Sequence, residues 1–480
     1  MRLYILSLFV GLSLLGAGQT DITWSASVDV APASNDNLHP RLALDGDGNP
    51  LVLWGKSSGE AKFARWNGSA FTMPVSLNPM DAAVFTSSWA GPDIASSGDT
   101  VYAVFKQSPE DEGVIFIVRS TDGGMSFGEA VQVENIGDSL SRFPTVAIDG
   151  NGNPVVGFMK FNSEFGDAQW AVARSNDMGQ SFNADAQASG WGDATVCDCC
   201  PGGIVASGDN VAMLYRNNAG NIRDTWAALS NDGGMSFPDG VNVDQQNWML
   251  MSCPSSGPDG FMKGDTLYSV FMNGSSGTNL VYFSKTSMTD VSSDGGTPLT
   301  GDFSGLNSQN FIRIANDGNA AVIAWKQVVS SQSQLALLYT SEITSGWPTE
   351  YSIPVPMHVV NVDVAMSGNE IHLVWQDDNS GTVKYMKGTV SIPSNISRAL
   401  AYDGLNVYPN PFTSNLSFSF AAKNSNLWKI QLTDVTGQVV FSTDNASAGS
   451  SHDVSSFSPG VYTMTLSSGG SQHSTTIVKQ

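Results

Sequence analysis

Short apolar runs alternate along most of the chain with turns rich in Gly, Asn and Asp, and one such unit recurs seven times. Each copy has an apolar stretch, a turn and a second apolar stretch that closes on an aromatic residue. The copies read PRLALDGDGNPLVLW, PDIASSGDTVYAVF, PTVAIDGNGNPVVGF, PGGIVASGDNVAMLY, PDGFMKGDTLYSVF, FIRIANDGNAAVIAW and VDVAMSGNEIHLVW. Their closing aromatics are Trp54, Phe105, Phe158, Tyr215, Phe271, Trp325 and Trp375, spaced 51, 53, 57, 56, 54 and 50 residues apart. Alternating or wholly apolar runs of this length read as β-strands, and the turn residues tolerate the positive φ a hairpin needs. A third strand follows each hairpin, for example GVIFIVRS or AQWAVARS, and then a fourth such as EAVQVEN.

Four short antiparallel strands per repeat describe the blade of an all-β propeller. Seven copies favour seven blades, with six as the alternative. The seventh copy lacks a fourth strand of its own, and ITWSASVDVA (Ile22–Ala31), ahead of copy one, is placed to supply it and close the ring. The closing aromatics are expected to pack between blades.

Three of the turns between third and fourth strands share a tighter signature: STDGGMSF, SNDMGQSF and SNDGGMSF, spaced 55 residues apart. Their shared positions are Ser120, Asp122, Gly124 and Phe127; Ser175, Asp177, Gly179 and Phe182; and Ser230, Asp232, Gly234 and Phe237. A fourth stretch, SSDGGTPL (Ser292–Leu299), reads as a degenerate copy. In such a turn the Asp accepts backbone N–H bonds, the Gly takes the open φ and the aromatic tucks beneath. The signature resembles the Asp-box of sialidase-like (BNR) propellers, a likeness spanning roughly residues 21–390. That resemblance implies boxes on the outer rim, away from any active site.

From residue 405 the periodicity stops and a small all-β, Ig-like sandwich is expected through residue 480, after a linker at 393–404. The carriers are Tyr408-Pro409-Asn410-Pro411, the Asp434–Gly437 turn, Pro459-Gly460-Val461-Tyr462 and the basic end at Lys479. This segment resembles the type A sorting domain of type IX secretion in Bacteroidetes. The resemblance implies the secretion machinery as a partner, and release or attachment at the outer cell surface.

The N-terminus agrees with export. Residues 1–20 hold one basic residue, Arg2, then a short apolar run ending in small residues, the layout of a signal peptide. The propeller is then bounded at 21–392, and no later run reaches the length of a transmembrane helix. With 22 Lys+Arg against 44 Asp+Glu, the net charge of −22 argues against nucleic acid as a partner.

Candidate chemistry is sparse. A sialidase-like enzyme would hold a substrate carboxylate with three arginines, because guanidinium grips carboxylate bidentately. The family's Phe-Arg-Ile-Pro motif is missing here; Arg41 in HPRLAL and Arg142 in SRFPTVA are the nearest stretches. Counted back from the closing aromatics, Arg41 stands 13 residues before Trp54, Arg142 16 before Phe158 and Arg313 12 before Trp325. The difference of one predicts that Arg41 and Arg313 point to opposite faces of their strands. No catalytic residue is assigned. Hydrolysis of a glycoside is the alternative to simple binding of an extracellular glycan or protein ligand at the axial mouth. DGDGN and DGNGN read as turns rather than calcium loops, lacking the EF-hand spacing.

The four cysteines fall in phase. Cys197 lies 18 residues before Tyr215 and Cys253 lies 18 before Phe271, on equivalent loops of adjacent blades; Cys199 and Cys200 follow Cys197. His39 and His358, 15 and 17 residues before their aromatics, occupy similar loops of the first and last blades. Export favours disulfides, with Cys253 tying its blade to the CDCC stretch. The alternative is a soft-metal site for Cu or Zn on free thiolates, or a redox site.

Overall fold

In the computed structural model, residues 22–79, 82–192, 194–391, 406–419, 428–435, 438–446, 450–468 and 471–480 are described. The expected signal peptide and linker lie outside them, as does Gly437 of the Asp434 turn. The described residues fall into two compact units, one ending at Val390 and one formed by the C-terminal segment.

The first unit consists of seven antiparallel sheets, one for each sequence copy. Their first strands are Asn37–Leu44, Asp93–Ser97, Leu140–Ile148, Gly203–Ser207, Asp259–Lys263, Leu306–Asp317 and Val359–Ser367. Each neighbours the next, and the last neighbours the first, so the seven first strands form a closed cycle around an axis. Closure uses the N-terminal segment: Ile22–Trp24 and Val28–Asp29 both pair antiparallel with Thr382–Val390, giving the seventh sheet its outer edge. A sheet edge left open there would expose unpaired backbone groups.

The closing aromatics explain why the repeat needs one bulky residue per blade. All seven are buried. Each sits in a cluster with the preceding blade: Phe105 with Leu51 and Phe63, Phe271 with Leu214 and Leu229, Trp375 with Leu335 and Leu337, and Trp54 with Val374 of the last blade. Burying one such ring against a neighbour contributes about 2–3 kcal/mol, so each of these contacts helps to hold its blade to the one before.

The three shared turns use one hydrogen-bond scheme. The Ser Oγ donates to the Asp at 2.7, 2.8 and 2.7 Å, and accepts the Gly N–H at 2.9, 2.8 and 2.9 Å. The second Ser of each turn donates to the other Asp oxygen at 2.6 Å. These bonds hold Asp122 and Asp177 at about 2, low in the carboxylate range. The turn aromatics reach the preceding blade, as Phe127 does with its ring 5.0 Å from Phe63. At Ser292–Leu299 the scheme is different: Ser293 Oγ accepts the Gly295 N–H and Asp294 accepts the Gly296 N–H.

The second unit has a three-stranded sheet (Asn406–Tyr408, Asn415–Ser419, Ser451–Asp453) and a four-stranded one (Trp428–Thr433, Val439–Ala446, Gly460–Ser468, Ser471–Lys479). They share a core that includes Phe412, Leu416, Ile430, Tyr462 and Ile477. Asn410 of the Tyr-Pro-Asn-Pro stretch stitches the unit's start to its end. It accepts the Val478 N–H at 2.9 Å and donates to the Thr476 carbonyl at 3.2 Å.

Candidate functional site

The register of the hairpins places seven residues at one level around the axis. Arg41, Asp93, Thr145, Gly203, Asp259, Arg313 and Asp363 each pair with the residue just before the closing aromatic of their blade. Arg41 and Arg313 are therefore equivalent, contrary to the opposite faces that counting predicts. The cause is the turn. Blades one and three connect their first two strands through five residues, Asp45–Asn49 and Asp149–Asn153, where blade two uses only Gly98 and Asp99. The longer turn replaces one strand pair and adds a single residue to the count. It is held by its own aspartate: Asp45 accepts the Asp47 and Asn49 N–H groups, as Asp149 accepts those of Asn151 and Asn153.

The three aspartates of this ring latch neighbouring blades together. Asp93 accepts the Val146 N–H at 3.1 Å and the Thr145 hydroxyl at 2.9 Å. Asp259 accepts the Ile314 N–H at 3.0 Å, and Asp363 accepts the Leu42 N–H at 2.8 Å across the closure. The other oxygens of Asp259 and Asp363 accept from Gly260 and Val364. Burial outweighs these bonds and raises both carboxyls, Asp363 to about 6. Gly203 has no side chain at its ring position, and a Cβ there would come within 2.7 Å of the Pro258 carbonyl oxygen.

The two arginines differ in how they are used. Arg41 is buried, donates to the Pro40 carbonyl and to Asn361 Oδ1 at 2.9 and 3.2 Å, and lies 3.9 Å from Asp93. Burial, and then the nearby Arg313, lower it to about 10. Arg313 is a fifth exposed and has an ion pair with Asp363 at 3.8 Å, but no hydrogen bond to any of the described residues. Its guanidinium presents donors to a cavity of about 190 Å³ whose walls include residues of all seven blades. His39, two residues above Arg41, also lines the cavity; it is 4% exposed and its Nδ1 has no hydrogen-bond partner. Burial, reinforced by the two arginines, holds His39 well below the ordinary histidine value, so the ring is neutral.

The remaining candidates lie elsewhere. Arg142 precedes the ring level across a bulge, pairs with Glu110 at 2.8 Å and stacks over Phe143. His358 is partly exposed and contacts Asp378 of its own blade at 3.2 Å. All four cysteines are in disulfides: Cys199–Cys253 joins the fourth and fifth blades, and Cys197–Cys200 closes the CDCC turn. Cys197 is fixed to its own blade through its N–H to the Arg216 carbonyl, and the turn returns Cys200 to it, leaving Cys199 for the neighbour. The Sγ atoms of Cys197, Cys199 and Cys253 lie within 4.8 Å of one another, a spacing that in the reduced state fits a shared soft metal. Pro201 and Gly202, directly after the cluster, do line the axial cavity.

Sequence reasoning does not single out the axial aspartates, although the signal is there. Asp93, Asp259 and Asp363 each stand 12 residues before their closing aromatic, as Arg313 does.

Residues 406–480 match the family described as the secretion system C-terminal sorting domain. The sorting domain addresses the chain to the type IX machinery and to the outer surface, and none of the described helices is long and apolar enough to cross a membrane. Comparison with curated proteins gives no match. Among solved structures, an ulvan lyase of polysaccharide lyase family PL25 is similar at TM-score 0.50 and 9% identity, covering 76% of this chain and 95% of that one. An α-L-arabinanase of Penicillium chrysogenum has TM-score 0.44 and 12% identity over 77% and 98% of the two chains. NanB sialidase of Streptococcus pneumoniae has TM-score 0.43 and 9% identity over 71% and 83%. The shared feature is the β-propeller fold.

Proposed function

We propose that the propeller is an extracellular binding module that takes the acidic end of a glycan into its axial cavity. The observation that carries this reading is Arg313, a guanidinium at the axis with an ion pair but no hydrogen bond. A carboxylate can accept two parallel N–H bonds from such a group, stronger than neutral hydrogen bonds. Arg41 adds positive charge beside it, and the neutral His39 offers an unpartnered ring nitrogen to a sugar hydroxyl. A cavity of about 190 Å³ is smaller than the roughly 300 Å³ at which drug-sized sites begin, which suits one sugar ring and not a buried oligosaccharide.

Binding is favoured over hydrolysis by the state of the carboxylates. A glycosidase pair needs one oxygen free to attack and one proton free to donate. Both oxygens of Asp259 and of Asp363 instead accept backbone N–H groups, and those of Asp93 face Arg41, the Thr145 hydroxyl and the Val146 N–H.

The test is a calorimetric titration of the full chain with N-acetylneuraminate, glucuronate and glucose, beside a fluorogenic sialoside assay. The reading expects the two acids to bind, glucose not to bind, and no hydrolysis. Equal binding of glucose contradicts the carboxylate reading, binding of acidic peptides alone shifts it to a protein ligand, and turnover of the sialoside replaces it with the hydrolase.

A further inference from the structure

A second cavity, of about 250 Å³, lies where the first and last blades meet, on the side of the turns joining first and second strands. Its walls come from three places. Trp66 and Asp47 belong to blade one, Glu370, His372 and Tyr385 to blade seven, and the N-terminal segment that closes the ring contributes Ser25, Ala26 and Val28. The combination arises once, because only this junction has the closing segment.

His372 is the residue that the repeat does not account for. Three residues before the closing aromatic, the other copies carry Leu51, Tyr102, Val155, Ala212, Tyr268 and Val322, all suited to an apolar interface. His372 occupies that position at 1% exposure. Its Nδ1 is 2.8 Å from the Tyr385 hydroxyl, while its Nε2 is buried without a hydrogen-bond partner among the described residues. The nearest carboxylate oxygen, of Glu370, is 4.0 Å away and is beyond hydrogen-bond range. An unmet polar atom in such a place is destabilising, and a bound hydroxyl would relieve it.

The rest of the cavity has the matching character. Trp66 is half-buried, with Phe71 edge-on to it at 5.3 Å between ring centres and Tyr385 tilted against it at 6.3 Å. Glu370 and Lys387 neutralise each other at 2.6 Å on the rim. We infer that this groove is a second ligand site that takes one neutral sugar ring, its C–H face on Trp66 and its hydroxyls on His372 Nε2 and the Glu370–Lys387 pair.

Three features separate this ligand from its rivals. Burial lowers His372 to about 4, so the imidazole is neutral at pH 7 and supplies a single donor or acceptor, which a hydroxyl can meet in either sense. Anions are disfavoured by Asp47, which has no ion-pair partner among the described residues. A quaternary ammonium could use the aromatic rings, yet it would leave Nε2 unmet. The groove is separate from the axial cavity, since the two share no lining residue.

The experiment is saturation-transfer NMR and tryptophan fluorescence on the full chain. The probes are the methyl pyranosides of galactose, mannose and fucose, with methyl glucuronide and choline alongside. At least one neutral pyranoside is expected to bind with roughly millimolar affinity. Trp66→Ala should weaken it at least about tenfold while the chain still melts cooperatively, Trp66→Phe, which keeps a ring for the sugar and for Phe71, should weaken it less, and H372F should abolish it. Arg313→Ala should leave it unchanged, which keeps failure here distinct from failure of the axial reading. Binding by none of the three neutral probes, by choline alone, or undiminished in the Trp66 variant would overturn the inference.

Discussion

The axial cavity and the groove between the first and last blades both contain buried polar groups, but they are built in opposite ways. On the axis, charge is plentiful and mostly committed: three aspartates tie one blade's first strand to the next, and Arg41 is bonded to its surroundings. Among the described residues that line the axis, Arg313 and His39 remain available. In the groove, charge is scarce and cancelled on the rim, and one histidine stands where six copies carry Ala, Val, Leu or Tyr. The difference teaches that a concentration of charged residues does not identify a site. What identifies it is the group left over after the scaffold's own bonds are counted.

The largest expected effect separates scaffold from site. The Cys199–Cys253 loop spans 54 residues and the Cys197–Cys200 loop spans 3. On loop entropy alone, replacing the first pair with serine should cost about 4 kcal/mol of stability and the second about 2 kcal/mol, read from denaturant melts. Both variants should still bind at the axis below their melting range, because no cysteine lines the cavity. Equal losses would contradict the cross-blade role.

Next comes Arg313→Ala, expected to lower affinity for glucuronate by about 30-fold or more in calorimetry while the groove is unaffected. Trp66→Ala should do the converse, weakening the neutral sugar by about tenfold and sparing the acid. A variant that weakened both would show the two sites to be coupled. The smallest effect concerns pH. Asp363 is raised to about 6, so it is ionised at pH 7 and protonated at pH 5, whereas a sugar carboxylate stays ionised. Losing that negative charge should strengthen acid binding about three- to tenfold as pH falls from 7 to 5. In Asp363→Asn the dependence should flatten; a rise in affinity with increasing pH would have the wrong sign.

Much of the architecture is legible in the sequence because the blade repeats. Seven closing aromatics mark the seven sheets, and the missing fourth strand of copy seven points to Ile22–Ala31, whose Ile22–Trp24 pairs as expected. Adjacent phase links Cys253 to the CDCC stretch, while its partner within that stretch depends on local backbone bonds that spacing does not carry. The axial ring is obscured by one residue: the five-residue turns shift Arg41 against Arg313 in the count but leave them level in register. His372 belongs to no motif, and only a comparison of the position three residues before each closing aromatic exposes it. Arg142 and His358 are displaced from the axis by a bulge and by a loop, where repeat phase no longer fixes direction.

The most direct test of the axial reading is a crystal of the full chain soaked with glucuronate. The account expects the sugar in the axial cavity, its carboxylate bonded to the Arg313 guanidinium and a hydroxyl on His39. An empty axis at a saturating concentration, or a sugar whose carboxylate points away from Arg313, would contradict it.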